Sequence, residues 1–174
     1  GKVYWLIGLS GSGKSTIAKA VEQSLYRKGY LTQLLDGDNL RTGVNSNLGF
    51  SVEERDENIR RAAECAKLFG NCGIITICSF ICPTHNTQKI ARNIIGEDLY
   101  IEIFVNCPVD VCEQRDTKGL YAKARKGLIK DFTGINAPFE EPLNPDFTLN
   151  TSDETIEDSH NKLLDLIVTT YRRN

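Results

Sequence analysis

Val3-Tyr4-Trp5-Leu6-Ile7-Gly8-Leu9-Ser10-Gly11-Ser12-Gly13-Lys14-Ser15-Thr16 is an apolar run that breaks into glycines and ends on Lys-Ser-Thr. From Gly8 to Ser15 it fits the template G-x-x-x-x-G-K-[S/T], in which backbone N–H groups cradle phosphates, the lysine reaches the terminal ones and the hydroxyl holds Mg²⁺. Glycines admit positive φ and let the backbone come close to an anion. A helix opening at Gly13 aims its unpaired N–H groups and positive dipole end at the same phosphates. Lys14 adds a compact charge on a flexible stem. The context agrees, because a strand-like run precedes the loop while Ile17, Val21 and Leu25 follow it at helical spacing. Gly8, Ser10, Gly11, Ser12, Gly13, Lys14, Ser15 and Thr16 are therefore the expected nucleotide-binding residues.

Beyond the loop, strands and helices alternate. The first helix is expected to run to about Lys28 and stop at Gly29. A short strand over 31–35 then delivers Asp36-Gly37-Asp38-Asn39, and the polar stretch 40–50 reads as a loop. Ser51 with Glu54 makes a capping box. It opens a long helix whose apolar stripe is Ile59, Ala62, Ala63, Ala66 and Phe69. The near-continuous apolar runs 74–80 and 99–105 suit strands buried on both faces. A helix over 86–95 lies between them, and Pro108 opens a short helix that carries Arg115. Residues 117–134, rich in Lys and Arg with little core periodicity, read as an exposed basic lid. A last strand over 147–150 precedes a helix over 156–171, with Ile156, Leu163, Ile167 and Tyr171 on one side. Such alternation predicts a three-layer α/β fold with a mainly parallel five-stranded sheet, helices on both faces, and ligands at the carboxyl ends of the strands.

Bulk composition fits one domain over residues 1–174, with 40% hydrophobic and 25% charged residues. The net charge of −2 gives no electrostatic support for binding nucleic acid or a membrane surface. No apolar run reaches bilayer length. None of the six cysteines forms a CxxC pair or a zinc-type cluster. They read as reduced, mainly buried small hydrophobes of a cytoplasmic protein.

A phosphate loop alone does not choose among kinases, GTPases and motor ATPases, and Asp36-Gly37 alone reads better as an ordinary turn than as a functional site. The combination is more specific. Asp36-Gly37-Asp38-Asn39-Leu40-Arg41, Leu48-Gly49-Phe50-Ser51, Arg55-Asp56-Glu57-Asn58-Ile59-Arg60-Arg61, Ser79-Phe80-Ile81, Lys118-Gly119-Leu120-Tyr121 and Phe132-Thr133-Gly134-Ile135 resemble the adenylylsulfate kinase family, in the right order through nearly the whole chain. These enzymes are P-loop kinases that phosphorylate adenosine 5′-phosphosulfate (APS) with MgATP, giving the sulfate donor 3′-phosphoadenylyl sulfate.

The resemblance implies roles. Lys14 and the loop amides hold ATP, Ser15 and Asp36 hold Mg²⁺, Asp38 orients the 3′-hydroxyl and accepts its proton, and Lys118 closes over both substrates with the lid. Arg115 packs on the ATP adenine, and the loop 151–155 with Glu154 walls that pocket. Phe50 and Phe132 sandwich the APS adenine. Asn39, Arg41, Arg55 and Asn58 hold its ribose and anionic end, with Ile81 and the Cys82 backbone beside them. The resemblance also implies a homodimer and leaves open a fusion or association with ATP sulfurylase.

One residue departs from the pattern. Many family members carry serine where this chain has Cys82, and that serine has been considered a phosphate carrier; a thiol is a poor substitute, so direct in-line transfer is expected. Two rivals are weighed by their motifs. A shikimate-type or nucleotide kinase would share the loop and lid but not Phe50, Arg55, Asn58 and Phe132. A GTP-binding switch would need DxxG and NKxD elements: Asp131–Gly134 fits the first but follows a basic stretch instead of a buried strand, and Asn161–Asp165 has one residue too many and lies inside an amphipathic helix.

Overall fold

β1 (Val3–Ile7) is buried along its whole length, and its alternating side chains build two cores at once. Val3, Trp5 and Ile7 face one side of the sheet, Tyr4 and Leu6 the other. That requires a central strand. The computed structural model, which describes residues 1–172, places β1 in the middle of a five-stranded parallel sheet of order β2-β3-β1-β4-β5. The other strands are β2 (Thr32–Asp36), β3 (Ile75–Phe80), β4 (Tyr100–Asn106) and β5 (Phe147–Asn150).

Helices cover both faces, as parallel crossovers demand. α3 (Val52–Asn71) and α4 (His85–Ile95) close the first face, with Ile59, Ala62, Ala63, Ala66, Ala91 and Ile95 packed on Trp5 and Cys78. α1 (Lys14–Arg27) and α7 (Ile156–Arg172) close the second through Ile17, Val21, Leu25, Leu163 and Ile167. Alanines at 62, 63 and 66 let α3 lie close to the sheet. The capping box at its start is formed, Ser51 Oγ accepting from the Glu54 N–H at 3.2 Å and Glu54 accepting from the Ser51 N–H at 3.1 Å.

Three local expectations are corrected. Residues 37–41 are helical (α2, Gly37–Arg41), because the Asp36 carboxylate accepts the Asp38 N–H at 2.9 Å and caps the turn into a helix. The lid is only partly exposed. α5 (Val109–Arg115) and α6 (Leu120–Arg125) hold a third small core in which Tyr121 and Phe132 are buried against Leu9, Cys107 and Cys112. Finally, Ile156 at the first turn of α7 is exposed and leaves the apolar stripe to Leu163 and Ile167. Among the described residues no helix is long and apolar enough to cross a membrane.

The parallel register sets the functional end of the molecule. Ile7 pairs with Phe80, and Asp36 pairs with Ser79. The chain leaving β1, β2 and β3 therefore emerges at one edge of the sheet.

Candidate active site

At that edge lies a cavity of about 1250 Å³, lined by the phosphate loop, α2, the start of α3, the end of β3, the lid and the loop after β5. Single-ligand pockets span roughly 300–1,000 Å³, so this one has room for more than one small molecule.

Its first half is the loop between β1 and α1. Gly11 and Gly13 adopt φ of 77° and 96°, which bends the backbone around the space in front of α1. Tyr121 Oη donates to the Ser10 carbonyl at 2.8 Å and Thr151 Oγ1 to the Ser12 carbonyl at 2.8 Å, so the lid and the last loop both brace it. Ser10, Gly11, Gly13, Lys14, Ser15 and Thr16 line the cavity. Gly8 and Ser12 do not. A side chain at Gly8 would start 2.5 Å from the Val105 carbonyl oxygen, so this glycine serves the close approach of β4, and Ser12 is fully buried behind the loop.

Lys14 donates from Nζ to the Leu9 carbonyl at 2.6 Å. Burial pulls its pKa down to about 8, opposed by the nearby Cys112 and Asp36 side chains. An amine held this far below its ordinary value is a desolvated cation short of anions, as suits a phosphate site.

Beside it, Ser15 Oγ donates to Asp36 Oδ2 at 2.6 Å and lies 3.1 Å from Ser79 Oγ. The in-register pairing of Asp36 with Ser79 creates this cluster. Ser79 belongs to the Ser79-Phe80-Ile81 motif, but its role depends on the neighbouring strand, which the motif alone does not show. Among the described residues no group of three His, Cys, Asp or Glu side chains could hold a metal unaided. Hard oxygens from one hydroxyl and one carboxylate fit Mg²⁺, which keeps most of its shell as water and substrate phosphate.

The second half of the cavity is cationic. Arg41, on α2, donates to the Leu48 and Gly49 carbonyls at 3.2 and 2.8 Å. Arg55, on the first turn of α3, donates to the Phe50 carbonyl, Thr133 Oγ1 and the Asp131 carbonyl at 2.8, 3.2 and 2.8 Å. Both guanidinium carbons lie over the exposed Phe50 ring, at 4.2 and 5.8 Å from its centroid. Burial, and behind it the Arg55 charge, lowers the pKa of Arg41. Two partly desolvated cations, neither of them in a salt bridge with a described carboxylate, favour an anion.

Asn58, one turn beyond Arg55, lines the same space with Phe132, Ile81 and Cys82. Asn39 does not; it is exposed, and its carbonyl accepts from Thr42 at 2.8 Å. The α2 helix turns its side chain away from the cavity that Asp38 and Arg41 face.

Asp38 lies in α2 between the metal-type cluster and Arg41, and its carboxylate is ion-paired with Lys118 of the lid. Arg115 bonds the Thr151 carbonyl at 2.5 Å and lies 3.4 Å from that of Gly11, tying α5 to two cavity walls. Glu154 lines the cavity but spends its oxygens on the Asn150 N–H, Ser159 and Lys162. Cys82 has φ of 45° and a buried thiol whose Sγ accepts from Trp5 Nε1–H at 3.2 Å. Burial pushes that thiol up to about 12. The NKxD-like stretch, Asn161–Asp165, lies inside α7 and away from the cavity lining.

Fold and phosphate loop together define a P-loop phosphotransferase. The adenylylsulphate kinase family model matches residues 1–150, and the chain belongs to that family. It is 56% identical to the adenylyl-sulfate kinase of Bacteroides thetaiotaomicron across 95% of this chain and 83% of that protein. To the adenylyl-sulfate kinase of Clostridium acetobutylicum it is 54% identical across 97% and 82%. The structure of the Mycobacterium tuberculosis APS kinase CysC in complex with AMPPNP and APS superposes with a TM-score of 0.91, at 44% identity and covering 96% of this chain and 97% of that one.

The Lys14 pKa makes phosphate binding pH-dependent. Below pH 8 the amine is charged in both the free and the phosphate-bound protein, so affinity is flat there. Above it the free protein has lost a proton that the bound state keeps, and affinity falls by up to about tenfold per pH unit. Calorimetric titration of MgADP across this range should show the fall, and Lys14→Arg, whose charge persists, should flatten it. An unchanged wild-type affinity through pH 9 would contradict the assignment.

Proposed function

We propose that this chain transfers the γ-phosphoryl group of MgATP to the 3′-hydroxyl of APS, giving 3′-phosphoadenylyl sulfate and ADP. The observation that carries the reading is one cavity with a phosphate loop and oxygen cluster in one half and the Arg41–Phe50–Arg55–Asn58 wall in the other. Phosphoryl transfer is mainly positioning and charge neutralisation, and each half supplies part of that.

Lys14 and the loop N–H groups hold the β- and γ-phosphates, while Arg115 and the 151–155 loop wall the ATP adenine. Ser15 and Asp36 hold Mg²⁺, with Ser79 fixing their hydroxyl–carboxylate pair; when bound, the ion neutralises charge on the transferring phosphate. Arg41 and Arg55 take the phosphosulfate, and Phe50 with Phe132 take the adenine of APS. Lys118 moves from Asp38 to the phosphates as the lid closes, which frees the Asp38 carboxylate to accept the 3′-hydroxyl proton. The 3′-oxygen then bonds to the γ-phosphorus as the bond to the β–γ bridging oxygen breaks and ADP leaves.

Residues 1–174 act in this reading as one domain with its lid at 117–134. The six free cysteines agree with a cytoplasmic setting. The homodimer rests on family resemblance, and sedimentation velocity at micromolar concentration would show a two-chain species. Association with ATP sulfurylase rests on the same resemblance.

The test is ADP formation from MgATP with and without APS. Turnover should require APS. Lys14→Ala should cut kcat about 100-fold or more, and Arg55→Ala should raise the KM for APS about 10- to 100-fold, the effect of losing a charged hydrogen bond. APS-independent turnover, or preference for another acceptor, would overturn the assignment of the second half.

Transfer is direct. The Cys82 thiol is buried, bonded to Trp5 and held protonated, so it is no phosphate carrier. Protein incubated with MgATP alone should keep its unmodified mass, and a phosphorylated peptide containing Cys82 would refute this.

A further inference from the structure

The loop from Thr42 to Gly49 does more than hold Arg41. In its middle Asn45 is fully buried, its N–H donating to the Leu40 carbonyl at 2.8 Å and its carbonyl accepting from the Leu48 N–H at 3.0 Å. Its side-chain Nδ2 donates to two oxygens of one residue, Asn58 Oδ1 at 3.0 Å and the Asn58 carbonyl at 3.3 Å. A backbone carbonyl can only accept, so the amino end of Asn45 must point that way whatever the usual ambiguity of amide orientation. Asn58 must then turn its oxygen toward Asn45, because two amino groups would oppose each other. Its own Nδ2 is left over. That nitrogen has no acceptor among the described residues and is not among the sealed, unpaired atoms. Since Asn58 lines the cavity, the wall there presents an oriented donor.

The clamp works against the stability of its own members. Asn45 Oδ1 is buried with no partner, alone in that state among the side-chain atoms of the described residues. Buried acceptors are nearly always paired, and an orphan calls for a reason.

We propose that Asn45 is a positioning and specificity residue: it locks the Asn58 amide with its donor outward, so the acceptor pocket takes a ligand atom that accepts a hydrogen bond and rejects one that donates. The inference rests on the adenylylsulfate kinase reading, in which that ligand is APS and the accepting atom is a ring nitrogen or an oxygen. A site built to pair a polar group discriminates strongly against a ligand that leaves it unpaired. Asn45 touches no substrate; it acts through Asn58.

A double-mutant cycle in the full chain tests this. Asn45→Asp is isosteric but sets an acceptor against both Asn58 oxygens, which turns the Asn58 amide over and presents its carbonyl to the pocket. KM for APS should rise about tenfold or more while KM for MgATP stays within about twofold. In an Asn58→Ala background the same change should move KM for APS by less than about twofold, since there is no amide left to orient. Asn45→Ala removes the clamp without repulsion and serves where Asn45→Asp folds poorly; it should give a smaller rise, again only when Asn58 is present. An equal factor in both backgrounds, or parallel rises in both KM values, would make Asn45 merely structural and overturn the proposal. If the wild type fails to phosphorylate APS, the functional reading falls first and the inference with it; if it turns over and the cycle is additive, the inference alone falls.

Discussion

In-register parallel pairing of β2, β3 and β1 is the constraint on which the site depends. Asp36 sits opposite Ser79, and Ile7 opposite Phe80, so the loop after β1 opens beside the carboxylate that ends β2. The Ser15–Asp36 hydrogen bond of 2.6 Å, made across 21 positions of sequence, follows from this register. Slipping β2 by one residue would turn Asp36 to the opposite face of the sheet. The register is itself held by burial, because β1 and β3 are buried on both faces and each face is covered by a helix pair. Hydrophobic packing some distance from the chemistry thus sets its geometry.

The acceptor half is built by a different device. It hangs on the capping box that starts α3 and on the loop 42–49, whose carbonyls hold Arg41 and whose Asn45 holds Asn58. Arg55 reaches from α3 to the lid through Thr133 and Asp131. The lid reaches back to the phosphate loop through Tyr121 and to α2 through Lys118. The stretch 117–134 therefore touches both halves of the cavity at once.

What the sequence made legible is local. The glycine loop, the Ser51 capping box and the buried strand runs depend on spacing within a few residues, and all appear where their patterns lie. Ser79 and Tyr121 carry their meaning in partners 43 and 111 positions away (Asp36 before Ser79, Ser10 before Tyr121), and Asn45 carries it in an amide orientation; periodicity reports neither. The α2 helix was hidden because Asp36-Gly37 is also good turn chemistry; the Asp36 cap on the Asp38 N–H decides for the helix. The lid looked exposed because its charged residues outnumber the two aromatics, Tyr121 and Phe132, that anchor it edge to face at 5.0 Å. Gly8 and Ser12 belong to the motif without reaching the cavity, as a motif preserves the support of a loop as well as its contacts. Asn39 matched the family pattern, yet the turn of α2 carries it away.

In the proposed reaction the 3′-hydroxyl of APS lies beside Asp38, in line with the γ-phosphate held by Lys14 and the loop. The most direct measurement is ³¹P NMR of the product formed from MgATP and APS. A new phosphomonoester resonance coupled to the ribose H3′, growing in step with ADP, is the predicted result. Coupling to H2′, or ADP formation accompanied only by inorganic phosphate, would contradict it.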